Sequence, residues 1–246
     1  MFIDVHCHLD LVEKETDIEK VVKECKKNKI NFVSDGTNVE SNRKMLEYAK
    51  KYNVSVCLGI YPEHVMEMND KELKDEFDFI LKNNGKISGI GEVGMDFVKG
   101  KEAKQEKYFR EFIKLAKKID KPITVHSRKA EKECIEILED LKVKKVIMHY
   151  FSGNMNLVKR IIDNGWFLSI PTCVKYSEHF QKVIEIVPVE LLLCETDSPY
   201  SHPDRKFPNN PNNVIESYKM VAEIKKMKLK DVEKQLEKNF KRLFGR

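Results

Sequence analysis

The chain has 246 residues, of which 41% are hydrophobic and 35% charged, and its formal net charge is +5. It can bury a large core, and it has no run of the roughly 20 apolar residues that a membrane span needs. The opening residues MFIDVHCHLD lack the basic segment and long apolar stretch of a secretory signal. We therefore expect a cytoplasmic protein with no membrane partner and no obligate protein partner.

Eight short apolar runs alternate with longer charged stretches along the whole sequence. Each run is rich in β-branched or aromatic residues and is bounded by turn residues, as buried parallel strands are. The runs are Phe2–Leu9, Asn31–Gly36, Val54–Ile60, Ile87–Gly94, Pro122–Ser127, Lys145–Phe151, Gly165–Pro171 and Leu191–Asp197.

The stretches between the runs predict amphipathic helices. Lys101–Ile119 has apolar residues at three- and four-residue spacing, and Asp70–Lys82 and Ala130–Leu141 behave similarly. Eight strand–helix alternations favour an α/β fold, a (β/α)8 TIM barrel forming a single domain over residues 1–246. A doubly wound open sheet is the alternative. Its dinucleotide-binding form is disfavoured, because no strand-to-helix turn carries G-x-G-x-x-G.

Ionisable side chains lie near the C-terminal ends of five runs, which is the end where barrel enzymes carry their active sites. These residues are His6 and His8 in the first run, Glu92 in the fourth, His126 in the fifth, His149 in the sixth and Asp197 in the eighth. Any one of them could be a hydrogen-bonded core residue. Together they would repel one another or remain unpaired, so we expect two divalent cations to hold them.

The spacing of the first pair has a mechanical reason. Side chains alternate along a strand, so His6 and His8 share a face and can converge on one ion. Glu92 lies between glycines, which permit a close approach of the backbone to an ion, and a carboxylate can bridge two cations. Glu195 is expected to lie one layer below Asp197, where it could orient a ligand.

Six motifs in this order resemble the TatD family of metal-dependent hydrolases and deoxyribonucleases. They are DVHCHLD (Asp4–Asp10), GEVGMDF (Gly91–Phe97), Gln105 followed by Phe109, PITVHSR (Pro122–Arg128), HYFSG (His149–Gly153) and ETDSPY (Glu195–Tyr200). The resemblance implies a TIM barrel with a two-metal site. It assigns His6, His8 and Asp197 to the first ion, His126 and His149 to the second, and Glu92 to both.

Two segments depart from the family pattern. The family usually has G-x-H-P-H after the third strand, whereas this chain reads GIYPEH, with Tyr61 in place of the first histidine and His64 one position late. The family's R-N-E-P motif is replaced by Pro208–Pro211, which lacks the arginine and the glutamate. Neither change affects the expected metal ligands. Both concern the substrate contacts.

The expected reaction is hydrolysis of a phosphodiester, with DNA or a small phosphodiester as substrate. Two ions lower the pKa of a shared water toward about 7, and Asp197 takes its proton as general base. Arg128 and His64 are candidate substrate contacts. The ligand types suit Zn²⁺, Mn²⁺, Ni²⁺ or Co²⁺, or a weaker Mg²⁺ site. The alternatives are an amidohydrolase acting on a small ester, lactone or cyclic amide, and a non-catalytic barrel that binds metal or nucleic acid.

Overall fold

The computed structural model describes residues 1–245, and this part of the chain alternates strands with helices. The strands are β1 (Phe2–Cys7), β2 (Ile30–Asp35), β3 (Ser55–Leu58), β4 (Gly89–Gly94), β5 (Ile123–His126), β6 (Val146–Met148), β7 (Phe167–Ile170) and β8 (Leu192–Cys194). The helices are α1 (Leu9–Glu15), α2 (Ile18–Lys27), α3 (Val39–Tyr52), α4 (Pro62–Glu67), α5 (Asp70–Lys82), α6 (Ala103–Lys118), α7 (Glu131–Asp140), α8 (Met155–Asp163), α9 (Glu178–Ile186), α10 (Val214–Ile224) and α11 (Leu229–Phe244). Four short 3-10 helices complete these elements, at Asn84–Lys86, Thr172–Lys175, Val189–Leu191 and Pro211–Asn213.

The strands form one parallel sheet in which the order of the strands is their order in the chain, β1 to β8. A doubly wound sheet would instead show a reversal of strand order. Sequential parallel strands alternating with helices are the (β/α)8 TIM barrel, so the predicted fold class is confirmed.

Short polar side chains cap the starts of several helices, namely α2, α3, α5 and α8. Asn38 accepts a hydrogen bond from the backbone N–H of Ser41, whose hydroxyl accepts one from the backbone N–H of Asn38, and this reciprocal cap begins α3. Asn69 and Glu72 form the same arrangement at the start of α5. Such caps pair backbone donors that the first helical turn leaves without partners.

The contacts between residues divide the chain into two compact groups. The terminal group comprises Met1–Ser34 together with the chain from Phe167 onward, and the central group comprises Asp35–Trp166. The single domain predicted over residues 1–246 stays a prediction.

Each group has its own apolar core and buried polar anchors. In the terminal group, the Tyr218 hydroxyl of α10 donates to the Ile3 carbonyl and accepts from the Ile3 N–H, which attaches the helix to β1. In the central group, Phe109 and Phe112 of α6 are fully buried. Trp166 is also buried, and its indole N–H donates to the Val143 carbonyl.

Within residues 1–245, no helix combines the length and the apolar character needed to cross a bilayer.

Candidate metal centre

Three predicted ligands of the terminal group lie together, and we call His6, His8 and Asp197 the terminal triad. His6 lies in β1, His8 is the N-cap of α1, and Asp197 follows β8 by three residues. The two imidazole Nε2 atoms are 3.1 Å apart, and each lies 3.6 Å from Asp197 Oδ1. Backbone bonds fix this arrangement, because Asp197 N donates to the His6 carbonyl and His8 N to the Ser198 carbonyl.

The spacing of the terminal triad suits a metal ion. With bonds of about 2.0–2.1 Å, the ligand atoms of a tetrahedral zinc site lie roughly 3.3–3.4 Å apart. The three observed separations fall on either side of that range. Two imidazole nitrogens and a carboxylate oxygen are also a donor set that transition metals accept. The residues of the terminal triad therefore fit one divalent cation.

The backbone of Asp197 leaves the strand conformation. Its φ is 53°, in the left-handed region, where aspartate and asparagine are better tolerated than most residues. The eighth strand therefore ends at Cys194, earlier than the predicted run, because the chain turns to present the carboxylate. Glu195 is fully buried, and its role in orienting a ligand stays a prediction.

Two further carboxylates lie beside the terminal triad. Asp4 is fully buried and accepts hydrogen bonds from the Thr196 backbone N–H and hydroxyl, and burial raises its pKa to about 8. Asp10 is also buried, and burial raises its pKa, while the neighbouring His8 opposes the shift. Within residues 1–245, Asp10 Oδ1 has no hydrogen-bond partner. A buried oxygen of this kind is consistent with a nearby cation.

Three predicted ligands of the central group also lie together, and we call Glu92, His126 and His149 the central triad. Glu92 lies in β4, His126 is the last residue of β5, and His149 follows β6 directly. Glu92 Oε1 lies 2.9 Å from His126 Nδ1 and 3.3 Å from His149 Nε2. All three ligand atoms fall within 4.8 Å of one another. This spacing again fits one divalent cation.

The charges of the central triad favour an ionised carboxylate. Burial alone would raise the pKa of Glu92, but His149 and His126 outweigh it and hold that pKa well below the usual range. Burial likewise opposes protonation of His126, yet its bonds to Asp96 and Glu92 raise its pKa. A cation between these groups would also favour the ionised form of Glu92.

The sequence reasoning did not single out Asp96, which contacts the ring of His126. Asp96 Oδ2 lies 2.9 Å from His126 Nε2, on the side of the ring opposite Glu92. Although burial raises the pKa of Asp96, its bonds to His126, Val98 and Tyr61 lower it to about 2. A carboxylate behind a metal-binding histidine orients the ring and selects its tautomer. The signal was present in the GEVGMDF motif, which contains this aspartate.

Tyr61, one of the departures from the family pattern, lies against the same ring. Its hydroxyl donates to Asp96 Oδ2 over 3.0 Å, and the phenol oxygen is 3.3 Å from His126 Nε2. Burial, with the nearby charges of Glu92 and Asp96, raises the pKa of Tyr61, so the phenol stays protonated. Tyr61 is therefore a hydrogen-bond donor near the predicted site, and the ring of His126 lies between it and Glu92.

The two predicted substrate contacts have different environments. His64 lies in α4, its Nδ1 is 2.8 Å from the Thr37 carbonyl, and its ring lies beside that of Tyr61. Arg128 is exposed two residues beyond His126, and its backbone carbonyl accepts from Phe97 N. Contact of either side chain with a substrate stays a prediction.

Glycine allows β4 to pack closely against β5. Gly94 pairs with His126 in the sheet, and its φ is +148°. A Cβ atom at this position would overlap the His126 carbonyl oxygen. This glycine is therefore needed for the close approach of two strands, and the predicted approach of an ion to the glycines beside Glu92 stays a prediction.

The second departure from the family pattern has a structural role. Asn209 is fully buried, and its side-chain amide donates to Thr172 Oγ1 and to the Thr196 carbonyl, next to Asp197. Asn210 caps the 3-10 helix Pro211–Asn213 by accepting from the Asn212 N–H. Both asparagines thus hold the loop that follows β8.

The chain is similar to known proteins along almost its whole length. Residues 3–245 match the family described as TatD related DNase. An uncharacterized metal-dependent hydrolase of Methanocaldococcus jannaschii is 35% identical over 245 residues, covering 100% of this chain and 97% of its own. The human deoxyribonuclease TATDN3 is 29% identical over 258 residues, covering 98% of this chain and 94% of its own. The solved structure of YJJV, a TatD homolog from Escherichia coli, shares the fold with a TM-score of 0.89 at 23% identity, covering 100% of this chain and 98% of that one. The chain belongs to the TatD-related DNase family of metal-dependent hydrolases.

Proposed function

We propose that this hydrolase cleaves phosphodiester bonds, with DNA as the substrate class, by using two divalent cations. The observation that carries the proposal is the terminal triad, in which three ligand atoms lie 3.1–3.6 Å apart. The central triad supports a second cation.

The chemistry that such ions supply is an acidified water and electrostatic stabilisation of a phosphoryl oxygen. The residues of the chain position the groups that react. His6 and His8 would hold one ion through Nε2, and His126 and His149 the other through Nδ1 and Nε2. Asp197 would accept the proton of the attacking water through its carboxylate, which its backbone bond to His6 holds in place.

Two side chains would contact the substrate. The exposed guanidinium of Arg128 suits a phosphate group, to which arginine can donate two parallel hydrogen bonds. With Nδ1 beside the Thr37 carbonyl, His64 keeps Nε2 for a second polar contact. The formal net charge of +5 is compatible with a polyanionic substrate.

We also place the protein in the cytoplasm. All six cysteines are buried, and none forms a disulfide within residues 1–245. This cysteine usage is typical of a reducing compartment.

The test is hydrolysis of a 3′-labelled single-stranded oligonucleotide by metal-free protein supplied with Mg²⁺, Mn²⁺ or Zn²⁺. Metal-dependent cleavage that Glu92→Ala abolishes would support the proposal. The matched control Glu136→Ala, at an exposed position of α7, should cleave normally. Cleavage that persists without metal would contradict the proposal. No cleavage, together with turnover of a lactone or small ester, would favour the amidohydrolase alternative.

A further inference from the structure

His126 lies between two carboxylates that contact opposite sides of its ring. Nδ1 is 2.9 Å from Glu92 Oε1, and Nε2 is 2.9 Å from Asp96 Oδ2. A neutral imidazole carries one hydrogen, so it can bind a cation through Nδ1 only when that hydrogen is on Nε2. Asp96 is the acceptor that favours this tautomer.

The carboxylate of Asp96 is itself held in place. Its Oδ1 accepts from Val98 N over 3.0 Å, and its backbone N–H donates to Gln105 Oε1 over 2.8 Å. The side chain is almost completely buried, with 2% exposure. Oδ2 is therefore directed at His126 by bonds that do not involve the metal ligands.

Tyr61 supplies a second donor to the same oxygen. Its hydroxyl is 3.0 Å from Asp96 Oδ2, and its ring centroid is 4.8 Å from that of His126. Its backbone N–H donates to the Thr37 carbonyl over 2.8 Å, which fixes the start of α4. The phenol thus contacts the ring and its acceptor at once.

We propose that Tyr61 and Asp96 are a pair of positioning residues that keep the hydrogen of His126 on Nε2 and thereby set the affinity of the central triad for its cation. The inference rests on the proposed function, since it requires a cation at the central triad. Neither residue is a ligand in this arrangement, and both act through His126.

Two substitutions of Asp96 distinguish this role from simple packing. In Asp96→Asn, the amide oxygen can replace Oδ1 and keep the bond from Val98 N. The NH₂ group then replaces Oδ2 and faces His126 Nε2. That group donates, so it favours the hydrogen on Nδ1, where it obstructs the cation. Asp96→Ala removes the acceptor but imposes no tautomer. Cation affinity should therefore fall further in the asparagine variant than in the alanine variant, although asparagine preserves the shape of the side chain.

Tyr61→Phe removes one donor and keeps the ring. It should weaken cation binding several-fold, less than either Asp96 substitution, because Asp96 still accepts from His126. Tyr52→Phe is the matched control. The Tyr52 hydroxyl is buried in the same group and, within residues 1–245, makes no hydrogen bond, so its removal should leave binding unchanged.

The experiment is titration of metal-free full-length protein with cobalt(II), followed by its visible absorption and by calorimetry. His149→Ala identifies the binding event of the central triad. For that event we expect Asp96→Asn to bind about 10–100-fold more weakly than the unaltered protein. Asp96→Ala should lose less affinity than Asp96→Asn. Tyr61→Phe should bind several-fold more weakly than the unaltered protein, which is the smallest loss of the three. The event at the terminal triad should keep its affinity in all three variants.

Equal cation affinity in Asp96→Asn and the unaltered protein would overturn the inference and leave the proposed function standing. A greater loss of affinity in Asp96→Ala than in Asp96→Asn would do the same. Normal binding by Tyr61→Phe would remove Tyr61 from the inference. Absence of any cobalt binding by the unaltered protein would overturn the proposed function and the inference with it. A further measurement uses the unaltered protein, so misfolding of a variant cannot affect it. Nitrogen-15 NMR of the zinc-loaded protein should show the hydrogen of His126 on Nε2. Protonation at Nδ1 would refute the inference.

Discussion

Asp4 accepts two hydrogen bonds from Thr196, one at Oδ1 from the backbone N–H over 2.9 Å and one at Oδ2 from the hydroxyl over 2.6 Å. Both residues are fully buried. They lie close in sequence to His6 and Asp197, so their contact couples β1 to the loop after β8. The bonds therefore hold His6 and Asp197, two members of the terminal triad, in register.

Removal of this acceptor should destabilise the protein. Asp4→Ala leaves the buried backbone N–H of Thr196 without its acceptor, and an unsatisfied buried group costs about 1–3 kcal/mol. Urea unfolding measures the loss. Thr196→Val should lose less, because the backbone bond to Asp4 remains. Asp78→Ala, at an exposed position of α5, is the control, and stability equal to that control would contradict the assigned role.

Asp197→Asn should slow turnover severely and preserve the fold. Asparagine tolerates the left-handed backbone of this residue, so we expect the free energy of unfolding to change by less than about 1 kcal/mol. Loss of the general base should slow turnover by about 10²–10⁴-fold. Single-turnover cleavage of a labelled oligonucleotide checks this, and a normal rate would remove Asp197 from the mechanism. Asp197→Ala should in addition lose roughly 1–2 kcal/mol of stability, because alanine is strained in this conformation.

The ion pair between Arg160 and Glu139 should give a pH-dependent contribution to stability. The guanidinium donates to both carboxylate oxygens, over 3.2 and 2.5 Å, and lowers the pKa of Glu139 below its ordinary value of 4.5. A lowered pKa in the folded state stabilises the protein above the unfolded-state value, and the contribution disappears as the pH falls through the folded value.

Glu139→Gln should therefore lower the free energy of unfolding by about 0.5–1 kcal/mol at neutral pH, because the pair is partly exposed. The difference should vanish in acid, at pH values below the pKa of Glu139 in the folded protein. Urea unfolding across the pH range measures it. Asp78→Asn, at an exposed position of α5, is the control. A difference that persists in acid would show that the effect does not arise from charge.

Removal of metal should lower the melting temperature. A ligand that binds only the folded state stabilises it by about 2.7 kcal/mol at 100 times its dissociation constant. The protein with zinc should therefore melt at a higher temperature than the protein in a chelator. His149→Ala should reduce the difference, because it disrupts the central triad only. Identical melting temperatures with zinc and with chelator would argue against metal binding to the folded state.

The sequence predicted the fold well because buried parallel strands need uninterrupted apolar runs, and all eight runs overlap a strand. It also indicated six candidate ligands, which form the two triads, because a charged or imidazole side chain at the end of such a run is conspicuous. Asp96 and Tyr61 lie in the segments after β4 and β3, where polar residues are ordinary. Their contact with His126 depends on how neighbouring strands pack, which periodicity does not describe. The left-handed turn at Asp197 was equally hidden, since aspartate is compatible with both strand ends and turns.

The separation of the two groups along the chain imposes an order on biosynthesis. The central triad is complete once His149 has been synthesised, whereas the terminal triad is complete only with Asp197, the last of the six candidate ligands in the chain. The two histidines of the terminal triad are therefore the first candidate ligands to be synthesised, and they are the last to gain all of their partners in a triad.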